Sequence, residues 1–256
     1  MRNTKKYSLR RRKIRKNSRR RKSKGGQINP LSLYTPPFPK KRIGKNNDGG
    51  YVICEIPNIT YDLLLSGGIS NDTSFEDNFL ELNPTVKCYA FDGTIESSPS
   101  KNSRFNFIKK NIGATNTDKL TNLHEYLSTY KNIFVKMDIE GGEFDWLNSL
   151  NSEHMNNISQ MVIEFHSITK DNLPLFEKIN QTHIQVNFHG NNNETINSTS
   201  NLGFKIPNVF ESLYINRKYI SSELPLNKEI IPLKDDQVNN PSQPDLIIDN
   251  PPFVNI

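Results

Sequence analysis

The sequence contains few cysteines, no long apolar run and no internal repeat. Its two cysteines, Cys54 and Cys88, are too few for a disulfide framework and have no metal-binding spacing. We therefore expect buried free thiols and a reducing compartment. No apolar stretch approaches the roughly 20 residues that span a membrane, and the charged N-terminus is not followed by the apolar segment of a secretory signal.

These absences predict an intracellular protein, cytoplasmic or nuclear, and exclude a secreted one. The abundance of Asn, Lys and Ile is typical of an AT-rich genome. If that genome is that of a large DNA virus, a place in the virion is a further option.

Basic charge is concentrated at the N-terminus. Residues 1–25 contain 14 of the 33 Lys and Arg residues and no acid, which leaves 19 basic residues against 27 acidic ones, a net charge of −8. Such a segment repels itself and cannot bury a core, so we predict a disordered basic tail over residues 1–26. Residues 2–24 could bind nucleic acid or another acidic surface without sequence preference. Nuclear targeting and simple solubilisation are the alternatives.

Composition divides the rest of the chain into three parts. We predict a Pro-rich extended lead-in over residues 27–47, a globular domain over residues 48–220 and an irregular Pro-rich C-terminal segment over residues 221–256. In the globular part, strand and helix patterns alternate through four or five cycles. This alternation predicts an α/β fold, a mostly parallel sheet with helices on both faces.

Polar residues follow the predicted strands where those strands end. Right-handed crossovers would bring Gly67, Asp92, Asp138 and His166 to one edge of the sheet. In open α/β sheets that edge is where ligands bind. The segment 133–147 is the most informative, because a buried strand there ends in Asp138 and Glu140 before a Gly pair and a helix. The alternative is that these acids only cap the next helix.

The turn after the first strand of the domain, residues 66–72 (SGGISND), would let a ligand approach the backbone. The helix behind it, introduced by the capping-box pattern TSFE at residues 73–76, would favour a negatively charged ligand. The dinucleotide fingerprint GxGxxG is absent. Asp92, after the next strand, could hold both hydroxyls of a ribose. The alternatives are a simple tight turn and an ordinary Asp-Gly turn.

These motifs resemble those of the FkbM-like S-adenosylmethionine-dependent methyltransferases over roughly residues 40–250. Residues 135–143 (VKMDIEGGE) are similar to the signature of this family. Residues 66–76 and 89–93 (YAFDG) are similar to its cofactor loop and to the segment with its ribose-binding acid. Later blocks are similar to residues 162–166, 188–192 and 207–211. The resemblance implies a Rossmann-like class I methyltransferase fold with a seven-stranded sheet, and S-adenosyl-L-methionine as cofactor.

Carried over by position, the resemblance implies a set of cofactor-binding residues. Gly67, Gly68 and Asp72 would line the amino-acid end of the cofactor, Asp92 its ribose and Asp138 its methionine or the substrate. A side chain near Asn111 to Asp118 could touch the adenine, with Asp118 as the candidate, and Ser66 and Gly93 complete the set. Ser66 stands where the family has an acid before the glycines. Asp72 or Asp138 could replace that acid as the partner of the methionine ammonium.

The family methylates hydroxyls, which requires a group that removes one proton. His166 is the first candidate, because neutral imidazole is available near pH 7. Glu164 points to the same face, Asp138 lies nearby and His189 is the second histidine candidate. The alternative for each histidine is a hydrogen-bonded rim or core residue. A metal cluster of Glu140, Glu164, His166 and His189 is chemically feasible, but the spacing does not demand it, so we expect no metal.

Two functions follow from the sequence. The first is O-methylation of a hydroxyl on a sugar, small molecule or glycan. The second is a catalytically inactive methyltransferase-fold module that its basic tail tethers to nucleic acid or a particle. Amine methylation of nucleic acid is disfavoured, because residues 250–253 (NPPF) match its motif but lie far from the fourth strand.

Overall fold

A computed structural model describes residues 28–197 and 202–255 of the chain. The predicted basic tail over residues 1–26 lies outside the described residues. The strands of the described part are, in chain order, β1 (Lys40–Ile43), β2 (Tyr51–Cys54), β3 (Leu63–Gly67), β4 (Lys87–Phe91), β5 (Phe105–Ile108), β6 (Asn111–Ile112), β7 (Leu120–Thr121), β8 (Ile133–Met137), β9 (Ile158–His166), β10 (His183–Gly190), β11 (Ile196–Asn197), β12 (Ile206–Pro207) and β13 (Val209–Asn216). The α-helices are α1 (Ser74–Leu82), α2 (His124–Thr129), α3 (Glu143–Ser149), α4 (Ser152–Asn157) and α5 (Leu173–Ile179).

Seven strands form the central sheet in the order β10-β13-β9-β8-β3-β4-β5. The neighbours from β9 to β5 pair in parallel, whereas β13 is antiparallel to both β9 and β10. Six strands therefore run in one direction and β13 runs against them. This arrangement confirms the predicted Rossmann-like, mostly parallel seven-stranded sheet.

The strand order reverses between β3 and β8. From β3 the chain moves outward through β4 to β5, and from β8 it moves outward through β9 on the other side. A crevice forms at the carboxyl ends of the strands where two such directions meet. Gly67, Asp92, Asp138 and His166 all lie at this edge, as predicted, because each ends or directly follows a parallel strand.

The two faces of the sheet carry separate apolar cores. Successive side chains of β8 alternate between them: Ile133 and Val135 belong to one core and Phe134 belongs to the other. The first core also contains Trp146 of α3 and Phe176 of α5. The second core takes helical side chains from α1, and β2, Ile43 of β1 and Leu224 also contribute to it.

The β1–β2 hairpin is absent from the sequence-based prediction, which has an extended lead-in over residues 27–47. Its strands are four residues each, and β1 reads KKRI, so neither has a convincing hydrophobic alternation. The hairpin is fixed to the sheet by Gln160 of β9. Its side chain accepts a hydrogen bond from the Cys54 amide (3.0 Å) and donates one to the Cys54 carbonyl (2.9 Å).

The C-terminal segment packs against the end of the sheet formed by β10 and β13. Ile231 and Ile248 pair through backbone hydrogen bonds and are buried. The buried ring of Phe253 stacks on Phe188 of β10 with 4.0 Å between centroids. Both cysteines, Cys54 and Cys88, are free and buried. None of the helices in the described ranges is both long and apolar enough to cross a membrane.

Candidate active site

The turn after β3 brings two parts of the backbone into close approach. Gly68 has a φ of +68°, and a Cβ at this position would lie 1.6 Å from the carbonyl oxygen of Asp138. The Asp138 amide in turn donates to the carbonyl of Gly67 (3.1 Å). The Gly68 carbonyl accepts a hydrogen bond of 2.6 Å from Nζ of the buried Lys136. A side chain is therefore excluded here, and the backbone itself forms the floor of the crevice.

Asp92 organises the opposite wall. Its Oδ2 accepts hydrogen bonds from the amides of Ile69 (3.2 Å) and Ser70 (2.9 Å), and its Oδ1 accepts from the amide and the hydroxyl of Thr94. Burial alone would raise the pKa of Asp92, but the hydrogen bonds from Thr94 and the turn outweigh it and lower the pKa. Asp92 thus stays ionised and ties the glycine turn to the end of β4.

Two cavities meet above this turn. The first has a volume of about 480 Å³, and its lining includes Ser70, Asp92, Thr94, Asn111 and Glu140. The second has about 310 Å³, and its lining includes Tyr51, Asp72, Glu76 and Lys136. The two cavities have three lining residues in common, which are Gly68, Ser70 and Asp138.

A larger cavity of about 670 Å³ lies elsewhere, between Ile28 and the C-terminal segment. Its ionisable lining side chains are Lys205 and Asp249, and it does not include the strand ends. The glycine turn and the acids at the strand ends therefore lie at the two smaller cavities.

Glu76 is a buried acid beneath the glycine turn. The sequence predicts that it closes a capping box with Thr73, and this prediction is wrong. Ser66 donates a short hydrogen bond to the Glu76 carboxylate, and the amide of Ser74 is capped instead by Asp72 (3.0 Å). Burial raises the pKa of Glu76, opposed by the positive charge of Lys136. The predicted binding residue Ser66 does not line either cavity, but it connects the turn to this acid.

His166 lies at the centre of a group of carboxylates. Its Nδ1 is 3.2 Å from Glu143, and its Nε2 is 3.5 Å from Glu140 and 3.8 Å from Glu164. Burial lowers the pKa of His166, but the hydrogen bond and charge of Glu143, followed by Asp138 and Glu140, raise it above its usual value. Burial raises the pKa of Glu164 strongly, and the charges of Asp138 and Glu211 add to the effect. We call Asp138, Glu140, Glu164 and His166 the acid–histidine cluster.

The remaining predicted site residues lie apart from the cavities. His189 is buried and its Nε2 is 3.1 Å from Asp245 of the C-terminal segment. Burial lowers the pKa of His189, but the partner Asp245 raises it on balance. Asp118 is exposed and outside both linings. Gly67 and Gly93 are also outside the linings, although the Gly93 amide donates to Asn111, which is inside one (2.9 Å).

Comparison with known families gives the assignment. The model of the methyltransferase FkbM domain matches residues 19–202, most of the chain. This chain belongs to the FkbM methyltransferase family. It is an S-adenosylmethionine-dependent methyltransferase, and S-adenosylmethionine is its cofactor. No curated protein matches the chain by sequence.

Solved structures show only weak likenesses. The plantazolicin methyltransferase BpumL in complex with SAH is 10% identical, with 63% of this chain and 78% of that chain covered at a TM-score of 0.37. A putative rRNA methylase from Clostridium thermocellum is 13% identical, with 62% and 88% covered at a TM-score of 0.37. The 16S rRNA methyltransferase KamB is 10% identical, with 68% and 99% covered at a TM-score of 0.34. The family assignment rests on the domain match.

The first cavity of this FkbM-family chain fits a nucleoside cofactor. Its volume lies within the usual 300–1,000 Å³ of small-molecule sites. Gly68 leaves the backbone accessible where a Cβ would have no room. The ionised Asp92 and the hydroxyl of Thr94 offer polar partners for a ribose at the rim.

Several site residues of the FkbM-family chain were missed by sequence reasoning. Tyr51, Glu76 and Lys136 line the second cavity. Glu143 orients His166. Lys136 and Glu143 could have been found, because both lie inside the quoted signature segment. Tyr51 comes from the unpredicted hairpin and carries no local signal.

Proposed function

We propose that the protein transfers the methyl group of S-adenosylmethionine to a hydroxyl oxygen of a sugar, small molecule or glycan. The observation that carries this proposal is the position of Asp138. It lines both cavities and also belongs to the acid–histidine cluster. A single carboxylate therefore joins the space that suits the cofactor to the groups that can act on an acceptor.

In this proposal, the first cavity holds the adenosine part of the cofactor. Asp92 and Thr94 hold the ribose, and Asn111, at the far wall, lies beside the base. Because all four lone pairs of Asp92 are engaged by the turn and by Thr94, the Thr94 hydroxyl must turn toward the ribose on binding. Asn111 takes the place that the sequence gives to Asp118.

The second cavity holds the amino-acid end of the cofactor. The family's acid before the glycines is Ser66 here, and the sequence leaves Asp72 or Asp138 as its replacement. Asp72 is engaged by Lys45 at 2.9 Å and by the first turn of α1. Glu76 lines the same cavity and is held by Ser66. We therefore assign the anionic partner of the ammonium group to Glu76 together with Asp138.

The bound cofactor supplies an electrophilic methyl group, and the chain must orient the hydroxyl and take up its proton. Asp138 lines the donor cavity itself, and His166 lies 3.5 Å from Glu140, which lines the same cavity. We assign the uptake of the proton to the acid–histidine cluster. His189 has no part in this step, because it is buried against Asp245.

The residues at the end of β8 favour a hydroxyl oxygen over an amine as the methyl acceptor. That segment reads DIEG and lacks the Asn/Asp-Pro-Pro-aromatic motif of amine methylation. The only matching letters, residues 250–253, belong to the C-terminal segment. There Phe253 is buried under Phe188, so its ring cannot stack on an acceptor base.

The test is calorimetric binding of S-adenosylmethionine and SAH to the full chain. We expect binding by the wild type and by Asp145→Asn, which changes an exposed acid of α3. In Asp92→Asn we expect affinity about ten-fold lower or worse, a loss of about 1.4 kcal/mol. Asparagine keeps the shape of Asp92, so circular dichroism should show an unchanged fold.

A folded wild-type chain that binds neither compound would contradict the proposal. It would favour the inactive module instead. Equal affinities of wild type and Asp92→Asn would leave a methyltransferase with a different ribose contact.

A further inference from the structure

Negative charge exceeds positive charge around His166. Glu143, Glu140 and Glu164 all lie within 3.8 Å of its ring nitrogens. Asp138 also acts on it electrostatically. The nearby buried cation, Lys136, is already engaged with the Gly68 carbonyl. Concentrated, partly buried carboxylates repel one another unless a cation is shared among them.

Three members of the cluster have the geometry of metal ligands. One ligand atom each from Asp138, Glu140 and His166 lies within 4.8 Å of the other two. An ion about 2.0–2.3 Å from each ligand requires ligand atoms no more than about 4.6 Å apart. The ligand atoms therefore move closer together when an ion binds, and the side chain of Glu140 is free to move because it is 86% exposed.

Glu143 supplies an independent indication. Its side chain is completely buried, and its Oε1 lies 3.2 Å from Nδ1 of His166 and accepts from the Ile139 amide (2.9 Å). Its Oε2 is buried without a hydrogen-bond partner among the described residues. A carboxylate that accepts a hydrogen bond from Nδ1–H fixes the tautomer and leaves the Nε2 lone pair for a metal ion. That Nε2 is the atom that faces Glu140 and Glu164.

Asp138 and the neighbouring Glu164 are also held in place. Tyr51 donates a hydrogen bond of 3.2 Å to Oδ2 of Asp138, so one carboxylate oxygen is oriented while the other accepts no hydrogen bond from the described residues. The Glu164 carboxylate accepts from Asn191 (3.2 Å). Supporting hydrogen bonds of this kind orient the ligands of a metal site before the ion arrives.

We propose that Asp138, Glu140 and His166 bind a divalent cation of the Mn²⁺ type at the rim of the first cavity. Two carboxylates with one imidazole suit such an ion better than a purely hard or purely soft one. Three protein ligands leave open positions, so an acceptor with two neighbouring oxygens, such as a vicinal diol, could bind to the ion. This use of the ion rests on the proposed function, and it replaces the sequence-based expectation of no metal.

In this arrangement His166 acts on the acceptor through the ion rather than by contacting its hydroxyl, and Glu164, 3.8 Å from Nε2 of His166, is the member of the acid–histidine cluster that takes up the proton. Glu143 is a positioning residue, since it touches the ligand and not the ion. These two roles, ligand and support, predict different effects of substitution. Removing a ligand such as Glu140 should abolish ion binding, whereas removing the support given by Glu143 should weaken ion binding.

The test is a titration of the chelator-treated full chain with Mn²⁺, followed by the electron paramagnetic resonance of the free ion. We expect one bound ion per chain for the wild type and for Glu96→Gln. Glu96 is a matched control because its side chain is 85% exposed and pairs with Lys109 away from the cluster. In Glu143→Gln, which removes the support, we expect about 10–100-fold weaker binding, and in Glu140→Gln, which removes a ligand, we expect no binding at the cluster.

Weak binding that is the same in all four proteins would overturn the metal site. Binding of S-adenosylmethionine, measured in the presence of a chelator, separates this proposal from the proposed function. If the cofactor binds and Mn²⁺ does not, the metal site alone is wrong. If Mn²⁺ binds at the cluster and the cofactor does not, the metal site stands and its use in methyl transfer is wrong.

Discussion

The hydroxyl of Tyr51 donates a hydrogen bond of 3.2 Å to Oδ2 of Asp138 and so joins the β1–β2 hairpin to the end of β8. The ring of Tyr51 packs edge-on against Phe75, and Nζ of Lys136 lies 5.3 Å from its centroid. The hairpin is thus a wall of the site as well as a cover for the sheet.

Replacing Tyr51 by Phe should remove this bond while keeping the ring. Burial, followed by the charge of Asp138, raises the pKa of Tyr51 well above its usual value, so its hydroxyl remains a donor. Hydrogen bonds to charged groups contribute about 1.5–3 kcal/mol, and we expect the free energy of unfolding to fall by that amount in urea denaturation. Tyr126→Phe is the control, because no hydrogen bond of its hydroxyl is found among the described residues. Equal losses in the two variants would contradict the assignment.

Gly68→Ala should damage the site more than Gly141→Ala. Both glycines have positive φ, +68° and +98°, so each alanine suffers the roughly 1–2 kcal/mol cost of a left-handed L-residue. At Gly141 the added Cβ meets nothing within 4 Å, whereas at Gly68 it collides with the Asp138 carbonyl. We expect Gly141→Ala to lose only the conformational cost, and Gly68→Ala to lose more and to bind S-adenosylmethionine poorly.

Urea denaturation and calorimetry check both parts of this prediction. Two variants with the same stability and the same cofactor affinity would show that the close approach at Gly68 is unimportant.

His183 should make the protein less stable in acid. Its ring is completely buried, with Nε2 3.1 Å from the Ile158 carbonyl and Nδ1 2.8 Å from the Thr182 hydroxyl. Burial lowers its pKa from the ordinary 6.5 to about 3. The unfolded chain therefore takes up a proton below about pH 6.5 that the folded chain refuses until near pH 3. Stability should fall through this window by up to about 1.4 kcal/mol per pH unit.

The measurement is the free energy of unfolding at several pH values between 7 and 4, for wild type and His183→Gln. We expect the variant to be less stable than the wild type at pH 7. Its free energy of unfolding should change less steeply with pH, because unfolding takes up at most one proton fewer. His124→Gln is the comparison, since His124 is half-buried and burial lowers its pKa without the complete burial of His183, so it should change the slope less. Parallel curves for wild type and His183→Gln would refute the prediction.

The sheet and its functional edge could be predicted from the sequence for a local reason. The strands β3, β4 and β8 are short apolar runs that end in, or lead directly to, Gly or an acid, and the right-handed crossover rule then places Asp92 and Asp138 at one edge. The short helix α2 shows where this reasoning fails. Leu120 and Leu123 continue a helical pattern, yet Leu120 lies in β7 and Leu123 precedes the helix with a φ of +61°.

The partners of the acids could not be predicted, because they depend on distant contacts. Glu76 stands where the sequence pattern predicts a capping residue. Its side chain turns inward because it accepts the hydrogen bond from Ser66, which the sequence pattern does not reveal. Tyr51 reaches Asp138 across 87 residues of sequence. His166 was identified, but its setting among four carboxylates depends on how β8, α3 and β9 are packed.

The attachment of the hairpin to β9 has a consequence for biosynthesis. The bonds between Cys54 and Gln160 connect residues 106 positions apart. During translation the hairpin is therefore made early and must wait for about a hundred further residues before the strand that anchors it leaves the ribosome. Until then its apolar face is uncovered, and chaperones that shield nascent chains can act on this segment during the interval.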